Sequence, residues 1–131
     1  MNNLPAEESS IRVLIADDDV GFLDSLRELI DRQPELHVIG AAANGLEAIE
    51  LADQLEPDAV VLDLHMPLLD GVSAAARLRR DHPSICLIAL TGDDAPALHT
   101  AVREAGADEV LLKDELVGGL LERLTTARNR G

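Results

Sequence analysis

A chain of 131 residues is long enough for one domain with a sizeable hydrophobic core and leaves no room for a second. Its 47% hydrophobic content rests on Ala, Leu, Val and Ile, and Phe22 is the only aromatic residue, so recognition by base stacking or an aromatic cage has little to work with. Eleven basic against 25 acidic residues give a formal charge of -14, which repels nucleic-acid backbones and anionic membranes and favours solubility or a basic partner.

The opening residues, MNNLPAEESS, lack the basic and apolar parts of a signal peptide and read as a disordered lead-in over residues 1–10. Beyond them, five apolar runs alternate with five amphipathic segments. IRVLIA (11–16) reads as a strand, followed by a helix from Val20 to about Arg32 that Pro34 ends. LHVIGAA leads into NGLEAIELADQL, where Leu46, Ile49, Ala52 and Leu55 share a helical stripe. DAVVLD leads through a loop into GVSAAARLRRD, and SICLIAL into APALHTAVREAG, with Gly106 as the helix stop. EVLL leads into a last helix from about Glu115 to Arg128, whose start Gly118 and Gly119 weaken by about 1 kcal/mol each relative to Ala. Cys86, inside an apolar run and without a second cysteine, reads as a small buried hydrophobe, in keeping with a reducing cytoplasm. No apolar stretch approaches the ~20 residues of a membrane span.

Short, continuously apolar strands suit a parallel sheet covered by helices on both faces, so the expected fold is α/β and doubly wound. Ligands of such sheets bind beyond the carboxyl ends of the strands. There the sequence places Asp17, Asp18 and Asp19 after the first strand, Asp63 after the third, Thr91 after the fourth and Lys113 after the fifth. Taken singly, each is a helix cap or a solvated charge. Together, the carboxylates would converge on one edge, and two unit charges ~5 Å apart repel by roughly 3 kcal/mol at an effective dielectric of ~20. A divalent cation and a fixed ammonium offset this, and an all-oxygen ligand set selects Mg²⁺. Lys113, the only lysine beside ten arginines, is the candidate ammonium. A metal-bound carboxylate facing a lysine and a hydroxyl, with no histidine or thiol nucleophile evident nearby, is equipped for phosphoryl transfer onto aspartate.

At this point LIADD, VVLDLHMPLLDG, LIALTG and AGADEVLLKD, in this order and spacing, resemble the receiver domains of two-component response regulators, over nearly everything from Ile11 to about Arg128. The resemblance implies a flavodoxin-like five-stranded parallel sheet in the order 2-1-3-4-5 with five helices, a receiver domain over residues 11–128 and a frayed end at 129–131. It implies Asp63 as phosphoacceptor. Asp18, Asp63 and the backbone carbonyl of His65 would hold Mg²⁺, with Asp17 acting through a water. Lys113 would pair with the phosphoryl group and Thr91 would donate its hydroxyl to it. Asp19 falls outside the acidic pair and reads as a cap. His65 and Asp93 are expected at the rim, where they would set the phosphoryl lifetime. The implied partner is a sensor histidine kinase or histidine phosphotransfer protein in the cytoplasm, with homodimerisation through the fourth and fifth helices a family-level option. A signalling domain of this kind is expected not to be an enzyme beyond its own phosphoryl transfer and slow autodephosphorylation.

The sequence departs from the family pattern in two places. Val110 occupies the position where receivers often carry a Tyr or Phe whose rotamer accompanies the threonine's movement. Asp114 follows the lysine in place of the commoner proline, and with LIALTG and the AGA before strand five this resembles receivers that precede helix-turn-helix output domains. A rival reading is a haloacid-dehalogenase-like phosphohydrolase using Asp17 and Asp19. It lacks a later acidic pair for the metal and leaves Asp63 without a role. A non-phosphorylated interaction module would have no need to tolerate the clustered charge, and a flavin-binding flavodoxin relative would want aromatic stacking residues.

Overall fold

The computed structural model describes residues 10–66, 68–92 and 94–126. Strands and helices alternate along the whole of this span: β1 (Ile11–Ala16), α1 (Val20–Asp31), β2 (Leu36–Ala42), α2 (Gly45–Leu55), β3 (Ala59–Asp63), α3 (Gly71–Asp81), β4 (Cys86–Thr91), α4 (Pro96–Ala105), β5 (Glu109–Leu112), a 3₁₀ turn (Lys113–Glu115) and α5 (Leu116–Thr126). The five strands form one sheet in the order β2-β1-β3-β4-β5, every pairing parallel. The doubly wound fold and its strand order are as the sequence led us to expect. The lead-in and the frayed end fall, apart from Ser10, outside the described residues.

Side chains along a strand alternate between faces, and here both faces are covered. Leu14, Ala16, Val60, Leu62, Leu87 and Ala89 pack with residues of α2, α3 and α4. Their neighbours Val13, Ile15, Val61, Ile88 and Leu90 pack on the other side with α1 and α5. This two-sided burial is why the strands read as continuous apolar runs. Cys86 is buried within the second cluster, as its apolar surroundings imply.

Caps set where the helices start. Asp19 Oδ1 accepts from Phe22 N–H at 3.1 Å, Asn44 Oδ1 from Glu47 N–H at 2.8 Å, and Asp70 Oδ1 from Ser73 N–H at 2.9 Å. The Ser73 bonds hold the Asp70 carboxyl below its usual pKa. Gly71 is required by close approach: a Cβ there would lie 2.5 Å from Leu64 Cα, in the loop that follows β3.

Three expectations about the elements change. The buried stripe of α2 runs through Gly45, Ala48, Ile49 and Ala52, while Leu46 is 44% exposed. Ile49 and Ala52 of the expected stripe are buried, and the buried face takes in Gly45 and Ala48 in place of Leu46. β4 extends to Thr91, placing that residue in the sheet rather than after it. A 3₁₀ turn separates β5 from α5, so the last helix starts one residue later than expected.

Candidate functional site

Four strand ends bring the site together. Asp17 follows β1, Asp63 and Thr91 are the last residues of β3 and β4, and Lys113 opens the turn after β5. All three of Asp17, Asp63 and Thr91 are buried, and they are the only buried polar or charged residues among those described. Parallel pairing in register delivers this convergence, since each strand ends at the same edge of the sheet.

One carboxylate oxygen each from Asp17, Asp18 and Asp63 lies within 4.8 Å of the others. Lys113 Nζ is 2.8 Å from Asp17 Oδ2 and 3.4 Å from Asp63 Oδ1. Beyond these ion pairs, both oxygens are buried without a further hydrogen-bond partner among the described residues. Burial raises the Asp63 pKa and the neighbouring Asp17 carboxylate raises it further, against Lys113 and the His65 backbone N–H, which lower it. For Lys113, burial opposes the charge, but the bond to Asp17 and the charge of Asp63 outweigh it and the pKa rises. One ammonium thus pairs with two of the three clustered carboxylates. Exposed Asp18 opens the cluster to solvent, and buried oxygens with unused lone pairs fit a hard divalent cation with oxygen ligands.

Thr91 has a second neighbour. His65 Nε2 and Thr91 Oγ1 share a hydrogen bond at 3.0 Å. The sequence places His65 at the rim, where it would set the phosphoryl lifetime, and did not foretell its contact with Thr91. The residue is exposed overall, yet its ring reaches across to the end of β4. Val110 is buried, packed among the residues facing α2–α4. Asp93 lies outside the described residues.

A second unforeseen contact sits on the lysine. The Phe22 ring centroid is 4.4 Å from Lys113 Nζ. Phe22, the one aromatic residue, was given no role at the site from the sequence. Its position three after the Asp19 cap, in the turn that leaves the acidic loop, was the available signal. Asp19 itself caps α1, as its place outside the acidic pair led us to expect.

Comparisons with known proteins agree with this geometry. A family model for the response regulator receiver domain matches residues 13–125. The chain is 37% identical over 106 residues to a protein-glutamate methylesterase/protein-glutamine glutaminase of Shewanella frigidimarina, covering 79% of this chain and 26% of that protein. It is 35% identical over 121 residues to the transcriptional regulatory protein LnrK of Bacillus subtilis, covering 92% and 55%. Among solved structures, the response regulator domain of Thermotoga maritima CheB superposes with a TM-score of 0.85 at 30% identity, covering 92% of this chain and 97% of that one. The chain therefore spans about a quarter of the methylesterase and about half of the transcriptional regulator.

The first of these relatives overturns the expectation of a non-enzyme. It is by name an enzyme, and the stretch that this chain matches is one part of it. The strand-end site reports on a receiver and carries no information about the remaining three quarters of such a protein, so it gave no ground for excluding catalysis. Nothing in the comparisons favours the phosphohydrolase. No helix among the described residues is long and apolar enough to cross a membrane. Its strand order, its acidic cluster with the opposing lysine and the match over residues 13–125 together make this chain a member of the response regulator receiver domain family.

Proposed function

We propose that Asp63 is the phosphoacceptor of a receiver spanning residues 11–128. The supporting observation is the three carboxylate oxygens within 4.8 Å of one another, two of their residues paired with a single ammonium. An Asp63 carboxylate oxygen attacks phosphorus in line. The new O–P bond forms as the N–P bond of a phosphohistidine breaks, and its electron pair leaves on the imidazole nitrogen. Asp18, Asp63 and the His65 carbonyl would hold Mg²⁺, with Asp17 reaching it through a water. Bound there, the ion supplies neutralising charge for the phosphoryl oxygens.

The chain's own groups do the rest. Lys113 leaves Asp17 to pair with the phosphoryl group, and Thr91 turns its hydroxyl toward a phosphoryl oxygen. That turn exchanges the His65 bond for the new one, so His65, together with Asp93, sets how long the acyl phosphate lasts. Exchanging His65 for Asn is expected to change the dephosphorylation rate. With Val110 in place of an aromatic ring, the surface of α4 and β5 changes less on phosphorylation than the loop after Thr91 does.

The donor is a sensor histidine kinase or histidine phosphotransfer protein in the cytoplasm, and pairing of two copies through α4 and α5 is the accompanying interaction. Neither the acidic surface nor the single aromatic residue favours direct nucleic-acid binding by this chain. The test is intact mass after incubation with Mg²⁺ and acetyl phosphate. A phosphoryl-sized increment is expected on the wild type and none on Asp63→Ala; an equal increment on both would displace Asp63 from the role.

A further inference from the structure

We propose that Phe22 is a positioning residue for phosphoryl transfer, its ring holding the Lys113 ammonium at the mouth of the carboxylate cluster. This rests on the reading of Asp63 as acceptor and Lys113 as its cation. The only lysine and the only aromatic residue of the chain, 91 positions apart, meet at 4.4 Å. That is within the ~6 Å over which a ring face attracts a cation.

The arrangement suits a cation that must change partners. Lys113 Nζ pairs with Asp17 and Asp63 from two different strands, and the ring approaches it from α1. A ring attracts the ammonium through its quadrupole while accepting no conventional hydrogen bond and contributing no charge. A fourth carboxylate in its place would compete with the phosphoryl oxygens; the ring leaves the N–H donors available to them. It also restricts a long, flexible side chain before transfer, lowering the ordering cost of the reaction. Asp19 sets this geometry by capping α1 through the N–H of Phe22 itself. Two of the three consecutive aspartates belong to the carboxylate cluster, and the third acts through the ring.

Phe22 also packs against the core beneath α1, so the test must separate the ring's electronics from its bulk. The composition allows this: fluorinated phenylalanine supplied to a phenylalanine-requiring host replaces residue 22 alone, because the chain has one Phe. The rate of phosphorylation of the full chain by acetyl phosphate is expected to fall stepwise from unsubstituted to mono-, di- and trifluorinated ring at similar unfolding temperature. Phe22→Leu is expected to be two- to fivefold slower, equivalent to about 0.4–1 kcal/mol at roughly 1.4 kcal/mol per tenfold. In selectively labelled protein the ε-methylene protons of the single lysine should show a ring-current shift that Phe22→Leu removes. A flat rate across the fluorinated series overturns the proposal. An unshifted methylene overturns the placement of the ring, and does so even if the wild type accepts no phosphoryl group, which would instead remove the underlying reading. Should Phe22→Leu fail to fold, the fluorinated series decides.

Discussion

Asp63 is held at a cost to the fold. It is buried beside Asp17 with one shared ammonium for compensation, and its pKa is raised accordingly. Replacing it with Asn removes the repulsion while keeping the shape, so Asp63→Asn should be more stable than wild type near neutral pH without metal. Below the raised folded-state pKa the wild-type folded form carries a proton that the unfolded chain, with its pKa near 3.8, does not. Stability therefore returns to the wild type as pH falls through that window, and the difference between the two proteins should shrink. Denaturant titrations of both proteins at a series of pH values check this, and a difference that widened toward acid would contradict it. Lys113 works in the opposite range: its pKa is raised above 10.5, so its contribution is present below that value and lost as pH rises through the folded-state pKa.

At the level of elements, the ends of helices and strands hold the site's framework in place. Arg79 in α3 donates from Nε to the Gly106 carbonyl and from its terminal nitrogens to the Pro83 and Ile85 carbonyls and Asp108 Oδ2. It thereby ties α3 to the turns that precede β4 and β5. Gly106 has φ 130 and its missing Cβ would lie 2.6 Å from Arg79 Cβ, so Gly106→Ala combines backbone strain with a collision. The expected loss is about 2 kcal/mol or more, visible as a lower unfolding midpoint. Glu56 presents the opposite case. It ends α2 in the left-handed region with φ 50, and the bonds made there are from its backbone, the N–H donating to the Ala52 carbonyl and the carbonyl accepting from Arg12. Glu56→Gly should stabilise the fold by about 0.5–1 kcal/mol, because glycine adopts this conformation without the Cβ penalty. No gain in thermal unfolding would argue against strain at that cap.

Across the whole molecule the formal charge of -14 is distributed so that a buried share of it sits at one edge of the sheet. An ion bound there stabilises the native state by mass action, since the unfolded chain does not bring Asp17, Asp18 and Asp63 together. At a hundred times its dissociation constant Mg²⁺ should contribute about 2.7 kcal/mol. Thermal unfolding with Mg²⁺ should therefore shift upward and a chelator should reverse the shift. The response should be much smaller in Asp18→Ala, and an equal response there would place the ion elsewhere.

Much of this molecule was legible in the sequence. Apolar runs buried on both faces, separated by amphipathic stretches with Asp and Asn caps, specify an alternating α/β chain because each local signal depends on residues within a few positions of one another. The strand-end acids and Lys113 followed from the same periodicity, since parallel strands of similar length must end at one edge. Less legible were features that depend on which side chains meet across elements. The buried face of α2 runs through Gly45, Ala48, Ile49 and Ala52, whereas apolar spacing alone had favoured Leu46. The ring of Phe22 over Lys113 and the imidazole of His65 on Thr91 join residues 91 and 26 positions apart. Such contacts are selected by packing and side-chain rotamer after the sheet has formed, and neither periodicity nor composition encodes them.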